Sequence, residues 1–259
     1  MFSFLLFSVH VPLIQEAVAG GINAVLVDWE TRGKKERQAF ADTQINTHTL
    51  EDLICVRNAT AAPVICRLNS VYEQTPIEIS QAIEAGANEL LLPMVKTVDE
   101  VESVIKMAQG KVGVGILVET LEAIALVEKL SALPLSRIYV GLNDLAIASQ
   151  SSNIFIPLVD GTLEKIREAF LNIPFGFGGL TLVDKGFPIP SYLLMGEMIR
   201  LRCHFSFLRR SFLADVEGRN IVHEVSRMKE ALKTMASRTP QEVASERQQL
   251  IKKILAWNR

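Results

Sequence analysis

The chain has 259 residues, 49% of them hydrophobic and 22% charged, with 27 Lys and Arg against 29 Asp and Glu and a formal net charge of −2. That length suits one barrel of eight β/α units, typically about 250 residues, or two smaller domains, and the composition is that of an ordinary globular protein with ample core. The near-neutral balance excludes a global field that recruits nucleic acid or an anionic membrane, and no apolar run approaches the roughly 20 residues that span a bilayer.

Residues 2–8 read as a strand and 12–19 as a short helix. This apolar start imitates a signal peptide, and Ala17-Val-Ala-Gly20 imitates a cleavage site. The first Lys or Arg is Arg32, however, so the basic segment that opens such a leader is missing. A second strand, 24–27, ends in Asp28-Trp-Glu30 and is followed by a long polar loop, 31–47, that carries Arg32-Gly-Lys-Lys-Glu-Arg37. Helix 50–57 then leads to strand 64–67, and helix 77–84, capped by Gly86, to strand 89–92. Helix 98–107 precedes strand 112–118, and helix 121–130 precedes strand 138–140. Helix 163–170 leads to the glycine-rich strand 175–181, and helix 192–202 to strand 205–208. A charged helical stretch, 220–255, closes the chain.

The strands are short, β-branched and apolar on both faces, as buried parallel strands are. Eight strands, each followed by a helix or helical turn, predict a parallel sheet closed into a single (β/α)8 TIM barrel over residues 1–259, with a C-terminal helical extension from about 219. No proline- or serine-rich linker divides it. The segment after Pro240 is amphipathic and is expected to pack on a neighbouring subunit. Cys55, Cys66 and Cys203 are odd in number and lack metal-ligand spacing, so reduced thiols in a cytoplasmic protein are the simplest account.

In such barrels the C-terminal ends of the strands hold the chemistry and the opposite end stabilises the fold. Position therefore sorts the charged residues. At the active end lie Asp28 and Glu30, Arg67, Glu119, Asp144, Lys185, and Arg209 with Arg210. Arg67 is flanked by apolar residues, and a buried guanidinium needs an anionic partner. That partner is either Glu30 or Asp28 in a structural ion pair, or a substrate carboxylate gripped by the planar fork. Glu119 and Asp144 close neighbouring strands. They could pair with Arg137 or Lys96. Left alone in one cleft they would repel and one would hold its proton; a bound Mg2+ or Mn2+ removes that cost with hard oxygen ligands. His204 and His223 read as structural or surface residues. His10 and His48 could face the mouth as a general base, or serve as capping or rim residues. The glycines of Gly176-Phe-Gly-Gly179 have the wrong spacing for a dinucleotide fingerprint and more simply let a strand pack closely, so neither NAD nor PLP is expected.

Five motifs in order then carry a resemblance: Val27-Asp-Trp-Glu30, Ile65-Cys-Arg-Leu-Asn69, Gly86-Ala-Asn-Glu-Leu-Leu-Leu-Pro-Met-Val95, Ile116-Leu-Val-Glu-Thr120 and Val140-Gly-Leu-Asn-Asp-Leu145. Over roughly the first 150 residues the chain resembles the HpcH/HpaI aldolase and citrate lyase β-subunit family. The resemblance implies a metal-dependent lyase acting next to a pyruvate-like enolate of a 2-keto or 3-hydroxy acid. Glu119 and Asp144 then hold Mg2+ or Mn2+, Arg67 stabilises the enolate, and main-chain N–H groups around Asn143 and Asp144 meet the substrate carboxylate, with Asp28 nearby. It also implies a homo-oligomer, trimeric or hexameric. The chain departs from the aldolase branch at Thr31, where a histidine base stands in that branch, and at Leu117, which replaces a polar substrate contact. Glu84 matches the acid that supports the absent histidine. The base is open among Glu30, His10, His48 and a metal-bound water. The Asp28 and Glu30 pair is closer to the lyase branch, which leaves a coenzyme A thioester lyase, a Schiff-base aldolase using Lys96, and a non-catalytic small-acid-binding barrel as alternatives.

Overall fold

The computed structural model describes residues 2–33 and 47–257. Residues 34–37 of the basic loop expected above the mouth lie outside them. Eight parallel strands run in the order 7-6-5-4-3-2-1-8: β1 (Ser3–Phe7), β2 (Ala24–Asp28), β3 (Val64–Arg67), β4 (Glu89–Leu92), β5 (Gly113–Val118), β6 (Arg137–Val140), β7 (Phe175–Phe177) and β8 (Phe205–Phe207). The ring closes between β7 and β8, where His204 N–H donates to Phe175 O at 2.8 Å. Beyond the strand ends, Leu180 N–H donates to Phe207 O at 3.0 Å and Arg209 N–H to Leu180 O at 2.9 Å. This is the TIM barrel expected from the alternation of elements.

Alternation along each strand divides the core in two. Leu5, Leu26, Ile65, Leu91, Leu117, Tyr139, Phe205 and Phe207 fill the lumen. Their neighbours Phe4, Leu6, Val25, Val27, Cys66, Leu90, Ile116 and Val140 pack outward against the helices. Tyr139 stacks on Phe207 with ring centroids 3.7 Å apart, and Phe7 meets Phe207 edge-on at 5.2 Å. The closeness needs a glycine opposite: a Cβ on Gly176 would lie 2.5 Å from Phe205 O and 3.1 Å from the Tyr139 ring. The glycine-rich segment therefore serves close packing, as expected.

The helices are α1 (Val11–Ala19), α2 (Leu50–Ala59), α3 (Thr75–Glu84), α4 (Val98–Ala108), α5 (Leu121–Ala125), α6 (Val127–Leu130), α7 (Leu142–Ala148), α8 (Thr162–Ala169), α9 (Ser191–Arg200), α10 (Ser211–Val216), α11 (Ile221–Ala236) and α12 (Pro240–Ala256). Capping boxes start α2 at Thr49 with Asp52, α4 at Thr97 with Glu100 and α12 at Thr239 with Glu242. Several expected element bounds need correction. The helix over 121–130 is two pieces, because Leu126 leaves helical geometry at φ −103° and ψ 6°. Strand seven stops at Phe177, since Gly178 turns to φ +60°. The first helix after β6 is α7, not the segment at 163–170, and α10 follows β8 where no helix was foreseen. The C-terminal stretch is two helices, α11 and α12, and α12 lies on its own barrel: Leu250 and Ile254 are buried in the outer core, Arg247 pairs with Glu197 and, at 2.6 Å, with Glu164. No described helix is long and apolar enough to cross a membrane.

Candidate active site

The end of β3 carries the most heavily contacted side chain of the mouth. Arg67 Nε donates to Asp28 Oδ1 at 2.8 Å and Nη2 to Asp28 Oδ2 at 2.7 Å, while Nη1 stands 3.3 Å from Glu30 Oε2. The cation also sits 5.2 Å over the Phe7 ring. Register explains the pairing, since Asp28 and Arg67 are direct partners across β2 and β3. Asp28 is fully buried and Glu30 nearly so. Two acids hold the Arg67 cation tightly and keep its pKa raised against the opposing effect of burial. Of the two alternatives for Arg67, the ion pair is the one formed, and with both acids. Three of the five guanidinium N–H groups are engaged in it, which leaves two for a ligand.

Glu119 follows β5 and is 3% exposed. Its Oε1 accepts from Met94 N–H at 2.9 Å, from the turn after β4, where Met94 takes φ 55°. On the other side the backbone of Gly141 lies so close that a Cβ there would collide with Glu119 Oε2. Gly141 caps α7, whose first turn presents Asn143, with an exposed side chain, and the half-buried Asp144. Burial, then the negative charges of Asp144 and Glu30, push the Glu119 carboxyl up to about 8, against the pull of Arg67 and of the Met94 N–H. The structure thus brings Glu119, Asp144, Glu30, Asp28 and Arg67 to one place. Arg137 and Lys96 are not partners of the two strand-end acids. Arg137 belongs to the opposite end of the barrel, where its Nε donates to Glu89 Oε1 at 2.6 Å, and Lys96 is exposed on the rim.

The donor chemistry fits a hard divalent cation, since Glu119 and Asp144 present carboxylate oxygens side by side at the mouth. Glu119 and Asp144 are the residues that would hold Mg2+ or Mn2+. Among the described residues no group of three or more His, Cys, Asp or Glu converges on one ion position.

The histidines divide between a helix cap, a backbone contact and a structural role. His10 is exposed at the cap of α1, where its own N–H donates to Ser8 Oγ. His48 is pinned by a backbone contact: its Nδ1 accepts from Asp28 N–H at 3.0 Å, which places its proton on Nε2. His48 lines a groove of about 340 Å3 on the flank of the mouth with Trp29, Asn69, Tyr72 and Glu78. His204 Nδ1 accepts from Phe175 N–H at the stability end, a structural role as read from the sequence. Glu84 lies at the far end of α3, exposed and bonded to Ser80 Oγ. The mouth-side acid of α3 is instead Glu78, which accepts from Asn69 Nδ2 and Tyr72 OH, each at 2.6 Å. Asn69 Oδ1 in turn accepts from Thr31 and Arg32 N–H, so it fixes the start of the polar loop. The roles of Asn69, Met94 and Gly141 were not read from the sequence, although all three lie inside the quoted motifs; Asn69 acts through its side-chain amide, Met94 through its backbone N–H and Gly141 through a missing side chain.

Known proteins share this arrangement of strands and helices. The chain aligns along 92% of its length with the HpcH/HpaI aldolase from Desulfitobacterium hafniense DCB-2, over 94% of that chain, at 13% identity and a TM-score of 0.64. RipC from Yersinia pestis aligns over 94% of this chain and 98% of its own, at 14% identity and a TM-score of 0.57. These likenesses concern the fold. No curated protein matches the sequence significantly. The model of the HpcH/HpaI aldolase/citrate lyase family matches residues 4–153, which include β2 to β6 and the mouth acids Asp28, Glu30, Glu119 and Asp144. The chain therefore belongs to the HpcH/HpaI aldolase/citrate lyase family, a family of lyases.

Proposed function

We propose that the barrel mouth makes or cleaves a carbon–carbon bond next to the enolate of a pyruvate-like acid, with a divalent cation held by Glu119 and Asp144. The carrying observation is the Arg67 guanidinium held by Asp28 and Glu30 beside Glu119, which burial, Asp144 and Glu30 drive toward its protonated form. A bound Mg2+ or Mn2+ would supply Lewis acidity toward the keto oxygen. The chain's own residues do the rest. Asp28 and Glu30 fix the Arg67 fork, so its two remaining N–H groups are oriented before negative charge grows on the enolate oxygen. The main-chain N–H groups at the start of α7, next to Asn143 and Asp144, face a substrate carboxylate. The aromatic floor of Phe7, Phe207 and Tyr139 keeps water from the reacting carbon.

Of the candidate bases, His10 is exposed and His48 presents a donor. Glu30 is the carboxylate close enough to Arg67 and Glu119 to take the proton from the carbon next to the keto group. The test is exchange of the pyruvate methyl protons with deuterated water, followed by NMR with and without Mn2+. Exchange that requires Mn2+, and is lost in Glu119→Ala and Asp144→Ala, supports the reading. Exchange indifferent to chelator and to both substitutions refutes it. Mn2+ binding without any exchange would favour the non-catalytic acid-binding barrel, for which Thr31 in place of a histidine is the specific support.

A further inference from the structure

All four acids of the mouth and their arginine come from strands two, three, five and six. The opposite side, β7 and β8, has a different character. There Gly176, Gly178 and Gly179 line the backbone, and the strand-end residue is Arg209. Its position follows from alternation along β8: Phe205 and Phe207 face the lumen, Leu208 packs outward, and the ladder persists to Arg209, whose N–H donates to Leu180 O. Arg209 is therefore the lumen-side residue at the top of β8, as Arg67 is on β3. A glycine is required beside it, since a Cβ on Gly179 would lie 2.8 Å from the Arg209 Cβ.

Arg67 and Arg209 differ in what their charge meets. Arg67 has two acids. Arg209 makes no ion pair with any described residue. Its Nε donates to Ser211 Oγ at 2.9 Å, and that bond orients the guanidinium. The nearest acid, Asp215, has its Oδ2 engaged by Thr181 Oγ1 at 2.5 Å. The two Nη groups of Arg209 have no hydrogen-bond partner among the described residues and are not sealed from solvent. Burial lowers the Arg209 pKa and the charge of Asp215 offsets this only in part, as for a cation held partly out of water.

We propose that Arg209 is an oxyanion-binding residue that receives the carboxylate or phosphate of the second substrate. The proposal rests on the mouth being the reaction site. Its chemistry is simple: a planar fork with both Nη groups available suits a bidentate oxyanion. The loops after strands seven and eight are also where barrels of this type commonly bind anions. The acids across the mouth disfavour a second anion beside them, so the charged end of the electrophile turns toward Arg209. The electrophile is accordingly an aldehyde or ketone with a carboxylate or phosphate at its far end, rather than a neutral one.

The test is calorimetric titration of the metal-free protein at matched ionic strength with inorganic phosphate and, separately, with malonate. Wild type, Arg209→Met, Arg209→Lys and Ser211→Ala are compared. Saturable binding of either anion that weakens about tenfold or more in Arg209→Met, and less in Arg209→Lys and Ser211→Ala, supports the proposal. Which anion saturates identifies carboxylate or phosphate. No saturation by either, or equal affinity in wild type and Arg209→Met, overturns it; near-UV circular dichroism confirms that the variants are folded, and Ser211→Ala keeps the test open if Arg209→Met is not. A parallel Mn2+ titration by electron paramagnetic resonance reads the acidic side independently, so loss of Mn2+ binding with anion binding intact counts against the metal reading and leaves Arg209 standing.

Discussion

Replacing Glu119 with glutamine in the metal-free protein tests the charge surplus directly. The Glu119 carboxyl is raised from an ordinary 4.5 to about 8 by burial and by Asp144 and Glu30. The folded protein therefore binds a proton at this site more tightly than the unfolded chain does. Its stability is greatest below about pH 4.5 as far as this group is concerned, falls as pH rises, and reaches its floor above about pH 8. At ~1.4 kcal/mol for each tenfold change in proton affinity, the whole excursion is about 5 kcal/mol, of which about 3 is already lost by neutral pH. Against a typical domain stability of roughly 5–15 kcal/mol that is a large fraction. Glu119→Gln keeps the shape and the Met94 contact but cannot ionise. Denaturant titrations in chelator from about pH 5 to about pH 9 should show wild type losing stability with pH while the variant stays nearly flat, so the variant is the more stable protein on the alkaline side. Saturating Mn2+ should reverse that order by favouring ionised Glu119. Parallel curves for the two proteins in chelator would refute the reasoning.

Three further outcomes follow from named contacts. Gly141→Ala is permitted by the local backbone, at φ −83°, yet its Cβ would collide with Glu119 Oε2; Mn2+ affinity should fall about 10- to 100-fold by titration while circular dichroism stays native. Asp28→Asn removes the fully buried charge partner of Arg67 and should cost about 3–5 kcal/mol in denaturant unfolding, because Glu30 alone cannot satisfy the fork. Leu250→Ala, at a position 1% exposed on the inner face of α12, should cost about 2–5 kcal/mol and make the connection between α11 and α12 the first site of limited proteolysis; unchanged stability and cleavage elsewhere would show that α12 is not docked on this barrel.

The barrel was legible in the chain because parallel strands are apolar on both faces and alternate with helices, a pattern that needs no partner to be read. Local chemistry also set Thr49, Thr97 and Thr239 as helix starts. The acids Asp28, Glu30, Glu119 and Asp144 and the cation Arg67 could be placed at the active end from strand position alone. Which of them touch is a different matter. Whether Arg67 meets Asp28 and Glu30 or stays open depends on register across β2 and β3. Whether His48 can act as a base depends on a single N–H from Asp28, twenty residues away. Gly141 and Met94 hold Glu119 through a missing methyl group and a backbone amide, neither of which leaves a mark in side-chain chemistry. The amphipathic pattern of α12 announces a buried stripe but not its partner, and three-dimensional packing assigned it to α9 and the outer core. A sequence thus determines which faces are apolar and which strand ends carry charge, because those follow from periods along one chain. Pairing and protonation are decided by distances between segments far apart in sequence, and those exist only after the barrel has closed.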